Sequence, residues 1–132
     1  TRVPAGAPAG SNLGWNITEG DRCFGTASCS TPASYLAPIA VYRHDAGACS
    51  ISGGAHMADA SGARWFVVAD WCDGLVRGLP TDMQIGDPSR AFVTLGSVGS
   101  GISGIVDDGT GRIWALDHAG GRIIRLSLQA AE

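Results

Sequence analysis

The feature that most constrains what this chain can fold into is an internal repeat. Laying the segment from Ile51 on the segment from Ile102 matches Ile51-Ser52-Gly53 to Ile102-Ser103-Gly104. Further on, Phe66-Val67-Val68-Ala69-Asp70 falls over Ile113-Trp114-Ala115-Leu116-Asp117, and Gly74-Leu75-Val76 over Gly121-Arg122-Ile123, at an offset of 47 residues. Each copy reads as strand, small turn, strand ending in Asp, glycine turn, strand. A repeat of about 40–50 residues with that content is the signature of an antiparallel propeller blade. The repeat segments near 51–79 and 102–128 are therefore expected to form about two blades, with residues 91–95 as the outer strand of the first and no outer strand after the second before Glu132. Blades bury their faces against other blades, so two alone leave an incomplete ring with open faces and unpaired edges. The expected partners are the remaining blades of a longer parent or copies of the chain itself, a trimer of two-blade units making six. The same pattern also fits a small β-sandwich of two hairpin repeats.

Composition agrees with many short strands joined by tight turns. The 132 residues hold 20 glycines and six prolines, are 45% hydrophobic and only 16% charged, which argues against long helices and against disorder. A net charge of -3 without a Lys/Arg run gives no footprint for a phosphate backbone, so nucleic acid is not an expected partner. No apolar run approaches the ~20 residues of a membrane span, and no membrane association is expected. Residues 1–6 lack the apolar core of a signal peptide, so the chain is read as a mature or excised piece. Four cysteines, Cys23, Cys29, Cys49 and Cys72, are an even number that two disulfides would account for, and their spacing lacks the paired short intervals of a zinc site. Disulfides place the chain in an oxidising compartment, extracellular or periplasmic. Asn16-Ile17-Thr18 fits the glycosylation sequon, which matters in a eukaryotic host.

Along the chain, residues 1–33 read as an Ala/Gly/Pro-rich linker followed by a turn-rich loop held by Cys23 and Cys29, and residues 34–132 as the blade region. Apolar runs mark candidate strands at 39–42, 55–58, 65–69, 75–79, 91–95, 102–106, 113–116 and 123–128. Of the imidazoles His44, His56 and His118, His44 beside Asp45 is the most plausible general base, the competing reading being a structural loop histidine. Asp107-Asp108-Gly109-Thr110-Gly111 is too short for an EF-hand and reads as a hairpin turn. Trp65, Trp71 and Trp114 are expected to pack within the blades and Trp15 in the core.

A further pattern is carried by Ser11-Asn12-Leu13-Gly14-Trp15-Asn16-Ile17-Thr18-Glu19-Gly20 with Cys23, then Ala37-Pro38-Ile39-Ala40-Val41-Tyr42-Arg43-His44, then Cys49-Ser50-Ile51-Ser52-Gly53-Gly54, then Phe66-Val67-Val68-Ala69-Asp70-Trp71-Cys72-Asp73-Gly74. In this order these residues resemble the C-terminal third of the soluble glucose/sorbosone dehydrogenase family, six-bladed propellers that include quinoprotein sugar dehydrogenases and the Hedgehog-interacting-protein-like branch. The resemblance covers nearly the whole chain and implies pairing of Cys23 with Cys29 and of Cys49 with Cys72. It implies a fragment of an extracellular glucose/sorbosone-dehydrogenase-like propeller in which any sugar oxidation requires blades outside this segment. The alternative is a non-catalytic glycan- or protein-binding propeller module that self-assembles to close the ring. In catalytic members the histidine base, calcium and pyrroloquinoline quinone belong to upstream blades. Their C-terminal third adds a lysine after the strand matching Phe66 to Asp70 and arginines before the last inner strand. Here the lysine position aligns with Cys72, and Gly99-Ser100-Gly101-Ile102 contains no arginine. Three quinone carboxylates need such cations, so the resemblance assigns no catalytic, cofactor-binding or metal residue to this chain, and His44 and Asp45 are its remaining weak candidates.

Overall fold

A computed structural model describes residue 3, residues 5–82 and residues 91–129. Thr1, Arg2 and Pro4 of the expected linker, and residues 83–90 and 130–132 of the expected blade region, lie outside the described residues. The chain is all-β. Its strands in chain order are β1 (Thr18–Glu19), β2 (Arg22–Cys23), β3 (Ile51–Ala58), β4 (Arg64–Asp70), β5 (Leu75–Pro80), β6 (Val93–Ser97), β7 (Ile102–Asp107), β8 (Ile113–Asp117) and β9 (Arg122–Leu126). All pairing between these strands is antiparallel, and no helix occurs among the described residues.

The chain divides into two compact units, Thr1–Val41 and Tyr42–Glu132. In the first, β1 and β2 form a two-residue ribbon, closed by the Cys23–Cys29 disulfide with a Cα separation of 5.6 Å. Trp15, expected in the core, is 70% exposed, with its ring 4.5 Å from that of Phe24. The reason is size: a unit of 41 residues built mostly of turns offers too little apolar surface to enclose an indole.

The second unit holds two meanders, a four-stranded sheet in the order β3-β4-β5-β6 and a three-stranded sheet in the order β7-β8-β9. Five of the eight expected runs lie within these strands, and two, 91–95 and 123–128, overlap β6 and β9 only in part. The eighth, 39–42, does not form a strand. Pro38 removes a ladder donor just before it, and Tyr42 commits its side chain to Asp70, donating a 2.7 Å hydrogen bond. The repeat is visible in the geometry. Five-residue loops close both inner hairpins, with Asp59 N–H donating to the Ala63 carbonyl at 2.9 Å and Asp108 N–H to the Arg112 carbonyl at 3.1 Å. Both inner strands carry a bulge: Gly53 and Gly54 together face Val68, and Ser103 is the extra residue between Ile102 and Gly104.

One face of each sheet meets the other in an apolar core. Ala55 and Ala69 of the first sheet lie against Ile102, Ile105, Ile113 and Ala115 of the second, flanked by Met57, Val98, Ile124 and Leu126. Small residues on one side and branched ones on the other let the sheets interdigitate. The closest approach is at Gly53, where φ is +67° and an added Cβ would collide with the backbone of Gly104 and Ile105. Only glycine combines that backbone conformation with that clearance. Opposite this core, the far face of the second sheet remains open, with Val106 41% and Ile123 71% exposed.

Gly53→Ala is expected to cost about 3 kcal/mol, the sum of a left-handed backbone penalty and overpacking against β7. Gly62→Ala, at φ +89° with no atom within 4 Å of the new methyl, should cost about 1 kcal/mol. Chemical denaturation of the two variants checks the difference, and equal losses would refute the close-approach account.

Candidate functional site

The ends of β4 and β8 carry the repeated aspartates, and the chemistry-bearing residues of the second unit gather there. Asp70 ends β4 with no exposed surface. Burying a carboxylate is costly unless every lone pair finds a donor, and here five groups supply them. Cys72 N–H and Asp73 N–H reach Oδ1 at 2.8 and 3.2 Å from the following turn. Ser50 N–H and Cys49 N–H reach Oδ2 at 2.8 and 3.1 Å from the segment entering β3, and the Tyr42 hydroxyl reaches it at 2.7 Å. Burial pushes the Asp70 carboxyl up, but hydrogen bonds from Tyr42 and from the amides of Asp73, Cys72 and Cys49 outweigh it and hold the group well below the usual carboxylate range. Tyr42 is pushed above the ordinary phenol value by burial and by the adjacent Asp70 charge.

The Cys49–Cys72 disulfide, with a Cα separation of 5.6 Å, joins the same two segments that donate to Asp70. Its sulfurs and the Asp70 carboxylate lie within 4.8 Å of one another. The sulfurs are bonded to each other and so cannot act as thiolate ligands, and the carboxylate is fully engaged. The cluster is therefore a covalent and hydrogen-bonded clasp. Beside it, Asp73 receives the guanidinium of Arg77, with Nη1 at 3.2 Å from Oδ1 and Nη2 in direct contact with Oδ2. The Arg77 guanidinium holds the Asp73 carboxyl below its ordinary value and lies 4.4 Å from the centroid of the Tyr42 ring.

Asp117, the counterpart of Asp70, is 5% exposed and accepts from Gly120 N–H at 2.7 Å and from Arg122 Nε at 2.8 Å. The Gly120 amide and then Arg122 hold its carboxyl low. The next residue in each copy is aromatic and exposed. Trp71, expected to pack inside a blade, is 39% exposed, and its ring centroid lies 5.7 Å from that of His118. The turn after Asp70 carries the Trp71 side chain beyond the last rung of β4, so no neighbouring strand can cover it. His44 and Asp45 stand in the exposed stretch between Tyr42 and Cys49. The Asp45 carbonyl accepts from Ala48 N–H at 2.9 Å in a turn, and the His44 ring lies edge-on to Tyr42 at 6.5 Å. No hydrogen bond joins the His44 and Asp45 side chains among the described residues.

At the opposite end of the sheets lies a motif that the sequence reading missed. Asp59 Oδ1 accepts from Ser61 N–H and Oγ at 2.9 and 2.6 Å and from Ala63 N–H at 3.0 Å, while Oδ2 accepts from Trp65 Nε1 at 3.2 Å. Asp108 does the same with Thr110 N–H and Oγ1 at 2.8 and 2.6 Å, Arg112 N–H at 3.4 Å and Trp114 Nε1 at 3.0 Å. The signal was in the sequence as Asp-x-Ser/Thr-Gly-x-x-Trp, at Asp59 to Trp65 and again at Asp108 to Trp114, an offset of 49. The 47-residue alignment hid it because β4 has seven residues and β8 five.

No family model, curated protein or solved structure matches this chain. No helix among the described residues is long and apolar enough to cross a membrane.

Asp70→Asn is expected to destabilise the protein by about 2–3 kcal/mol, because the amide that replaces Oδ1 or Oδ2 turns a donor toward backbone N–H groups. The pH dependence has a definite sign. A carboxyl depressed in the folded state contributes its full stability above its unfolded value of about 4 and loses it as the pH falls through the folded value. Thermal midpoints of the native protein should therefore drop below about pH 4, and those of the Asn variant should drop less. Parallel acid profiles would remove Asp70 as the cause.

Proposed function

We propose that this chain is a pair of consecutive blades from an extracellular or periplasmic six-bladed β-propeller of the glucose/sorbosone dehydrogenase kind, and that it supplies scaffold and loop surface instead of a redox centre. The observation that carries the reading is the repeated meander: two sheets with the same inner hairpin, the same bulged inner strand and the same buried aspartate, packed face to face through β3, β4 and β7. The open far face of the second sheet, with Val106 and Ile123 exposed, is where a further blade or a further copy would pack. Two disulfides support an oxidising compartment.

The residues do not fit a quinone. Cys72, at the position of the family's lysine, is tied to Cys49. Arg77 and Arg122 are each neutralised by an aspartate. Gly99-Ser100-Gly101 offers no cation. A tricarboxylate would thus find no uncommitted cation at these positions, so no step of a sugar oxidation is assigned to this chain.

Non-reducing size-exclusion chromatography with light scattering tests the blade reading. Three copies of the 13.5 kDa chain closing a six-bladed ring are the expected species, and a folded, thermally stable monomer would overturn it. Dye reduction with added pyrroloquinoline quinone, calcium and aldose sugars should be blank, and turnover would refute the assignment of a redox-silent segment.

A further inference from the structure

We propose that the cleft between the two inner hairpin loops, at the end of the sheets away from Asp70, binds a small organic monocarboxylate with an apolar tail. The cleft has a volume of about 240 Å³, with Met57 and Asp59 on the side of the first sheet and Arg112, Arg125, Leu126 and Leu128 on the side of the second. Its two cations are uncommitted. Arg125 makes no side-chain hydrogen bond or ion pair among the described residues, and the Arg112 guanidinium donates only from Nη1 to the Thr110 hydroxyl at 3.2 Å. The neighbouring carboxylates spend their lone pairs inside their own loops, Asp59 on Ser61, Ala63 and Trp65, and Asp108 on Thr110, Trp114 and the Arg112 backbone N–H.

The two copies of the repeat, set side by side, show that the fold asks for neither arginine. Arg112 follows Asp108 by four positions as Ala63 follows Asp59, and both serve their loop through the backbone N–H, at 3.4 and 3.0 Å from the aspartate Oδ1. Arg125 stands opposite Trp114 in the β8–β9 register, where Pro80 stands opposite Trp65 in the first sheet. The second copy has thus placed two guanidiniums at one cleft where the first has no cation at the corresponding positions. A guanidinium suits a carboxylate, which it holds through paired charge-assisted N–H···O bonds. Two guanidiniums against the single carboxylate of Asp59 leave the lining with a net charge of +1, in a chain of net charge -3. That balance matches one negative charge and disfavours a multivalent anion. Apolar contact is available beside the cations: Met57 and Leu126 pack against the core between the sheets, and Leu128 is half-buried. An alkyl tail laid on them leaves water, and the flexible Met57 adapts to its shape. The volume is below the roughly 300–1,000 Å³ of pockets for drug-sized ligands, which restricts the ligand to a small one. The cleft lies within one pair of sheets and needs no further copy, so its failure and that of the ring reading are distinguishable.

Amide chemical-shift titration of the full, isotope-labelled chain with octanoate tests the proposal. The amides of Gly111, Arg112, Leu126 and Ser127, which line the cleft, are expected to shift with millimolar affinity, and added salt should weaken the binding. Acetate, which lacks the tail, and octanamide, which lacks the charge, should each bind about ten-fold more weakly. Arg112→Gln and Arg125→Gln should each weaken octanoate about ten-fold, whereas Arg64→Gln, which removes an exposed arginine outside the cleft, should leave it unchanged. Neither cleft guanidinium bonds beyond its own loop, and an unchanged thermal midpoint verifies that the variants fold. Absence of shifts with octanoate, shifts confined to other amides, or equal binding by both arginine variants overturns the proposal. Equal affinity for octanamide also overturns it, since the cleft would then be an apolar groove, and so does equal affinity for acetate, which would reduce it to a surface ion pair.

Discussion

Five donors to one buried carboxylate organise the loop end of the first sheet. Asp70 lies at the end of β4, and its acceptor capacity is met by Tyr42, Cys49, Ser50, Cys72 and Asp73. None of these donors belongs to a strand ladder, and the charge gives the segment entering β3 and the turn leaving β4 a shared acceptor besides the direct bond from Trp71 N–H to the Ser50 carbonyl. The Cys49–Cys72 disulfide reinforces the same junction from outside, and closing a loop of that length contributes roughly 3 kcal/mol through the unfolded state. The carboxylate and the disulfide act on one pair of segments by different physics. The disulfide restricts the unfolded chain, whereas the charge selects the folded geometry through directional donors. Arg77, with its carboxylate partner Asp73 and the Tyr42 ring beneath it, holds the phenol that completes the set.

The two sheets are held by another device, the absence of side chains where their inner strands meet. Gly53 lies against the backbone of Gly104 and Ile105, and Gly74, at φ +65°, lies against the backbone of Gly99 and Ser100. The carbonyl of Gly74 accepts from Val98 N–H at 3.0 Å and Ser97 Oγ at 3.2 Å, so the β4–β5 turn of the first sheet is stitched to the connection that leads into the second. Backbone contact at those points brings Ala55 and Ala69 within packing distance of Ile102, Ile105 and Ile113. A core assembled from alanine and isoleucine gains its density from this proximity and has little bulk to spare if the sheets separate.

Much of the fold was legible because each strand is short, apolar and bounded by glycine or aspartate, and the repeat fixed which runs correspond. Gly74 and Gly121 were recognisable as turn residues and do adopt positive φ, at 65° and 61°. The run at 39–42 was misread because hydrophobicity alone cannot reveal that Tyr42 spends its side chain on a carboxylate 28 positions away. Exposure was the other blind point. Trp15 and Trp71 look like core residues by type, yet both are exposed, Trp15 because its small turn-built unit cannot enclose an indole and Trp71 because it follows the last rung of β4. The site was less legible still. His44 and Asp45 attract attention as a sequence pair, yet the residues that meet are Asp70 with Tyr42, Cys49 and Ser50, 28, 21 and 20 positions away, and Trp71 with His118.

The same aspartate has taken different surroundings in the two copies, and the contrast separates what the fold requires from what the first copy adds. Asp117 accepts from Gly120 and Arg122, both within its own turn and the strand that follows, so the second copy is self-sufficient at this corner. Asp70 reaches outward to a segment that precedes its sheet. The fold therefore needs an acceptor at the end of the second strand, to collect the amides of a tight glycine turn, and needs nothing more. The Tyr42 hydroxyl, the Cys49 and Ser50 amides and the disulfide are additions that anchor residues 42–50 over the first sheet alone. Anchoring that segment fixes Ser50, whose carbonyl receives Trp71 N–H, and the Trp71 carbonyl in turn receives Gly101 N–H from the connection just before β7. The clasp at Asp70 thereby transmits rigidity to the exposed aromatic pair, although it touches neither ring.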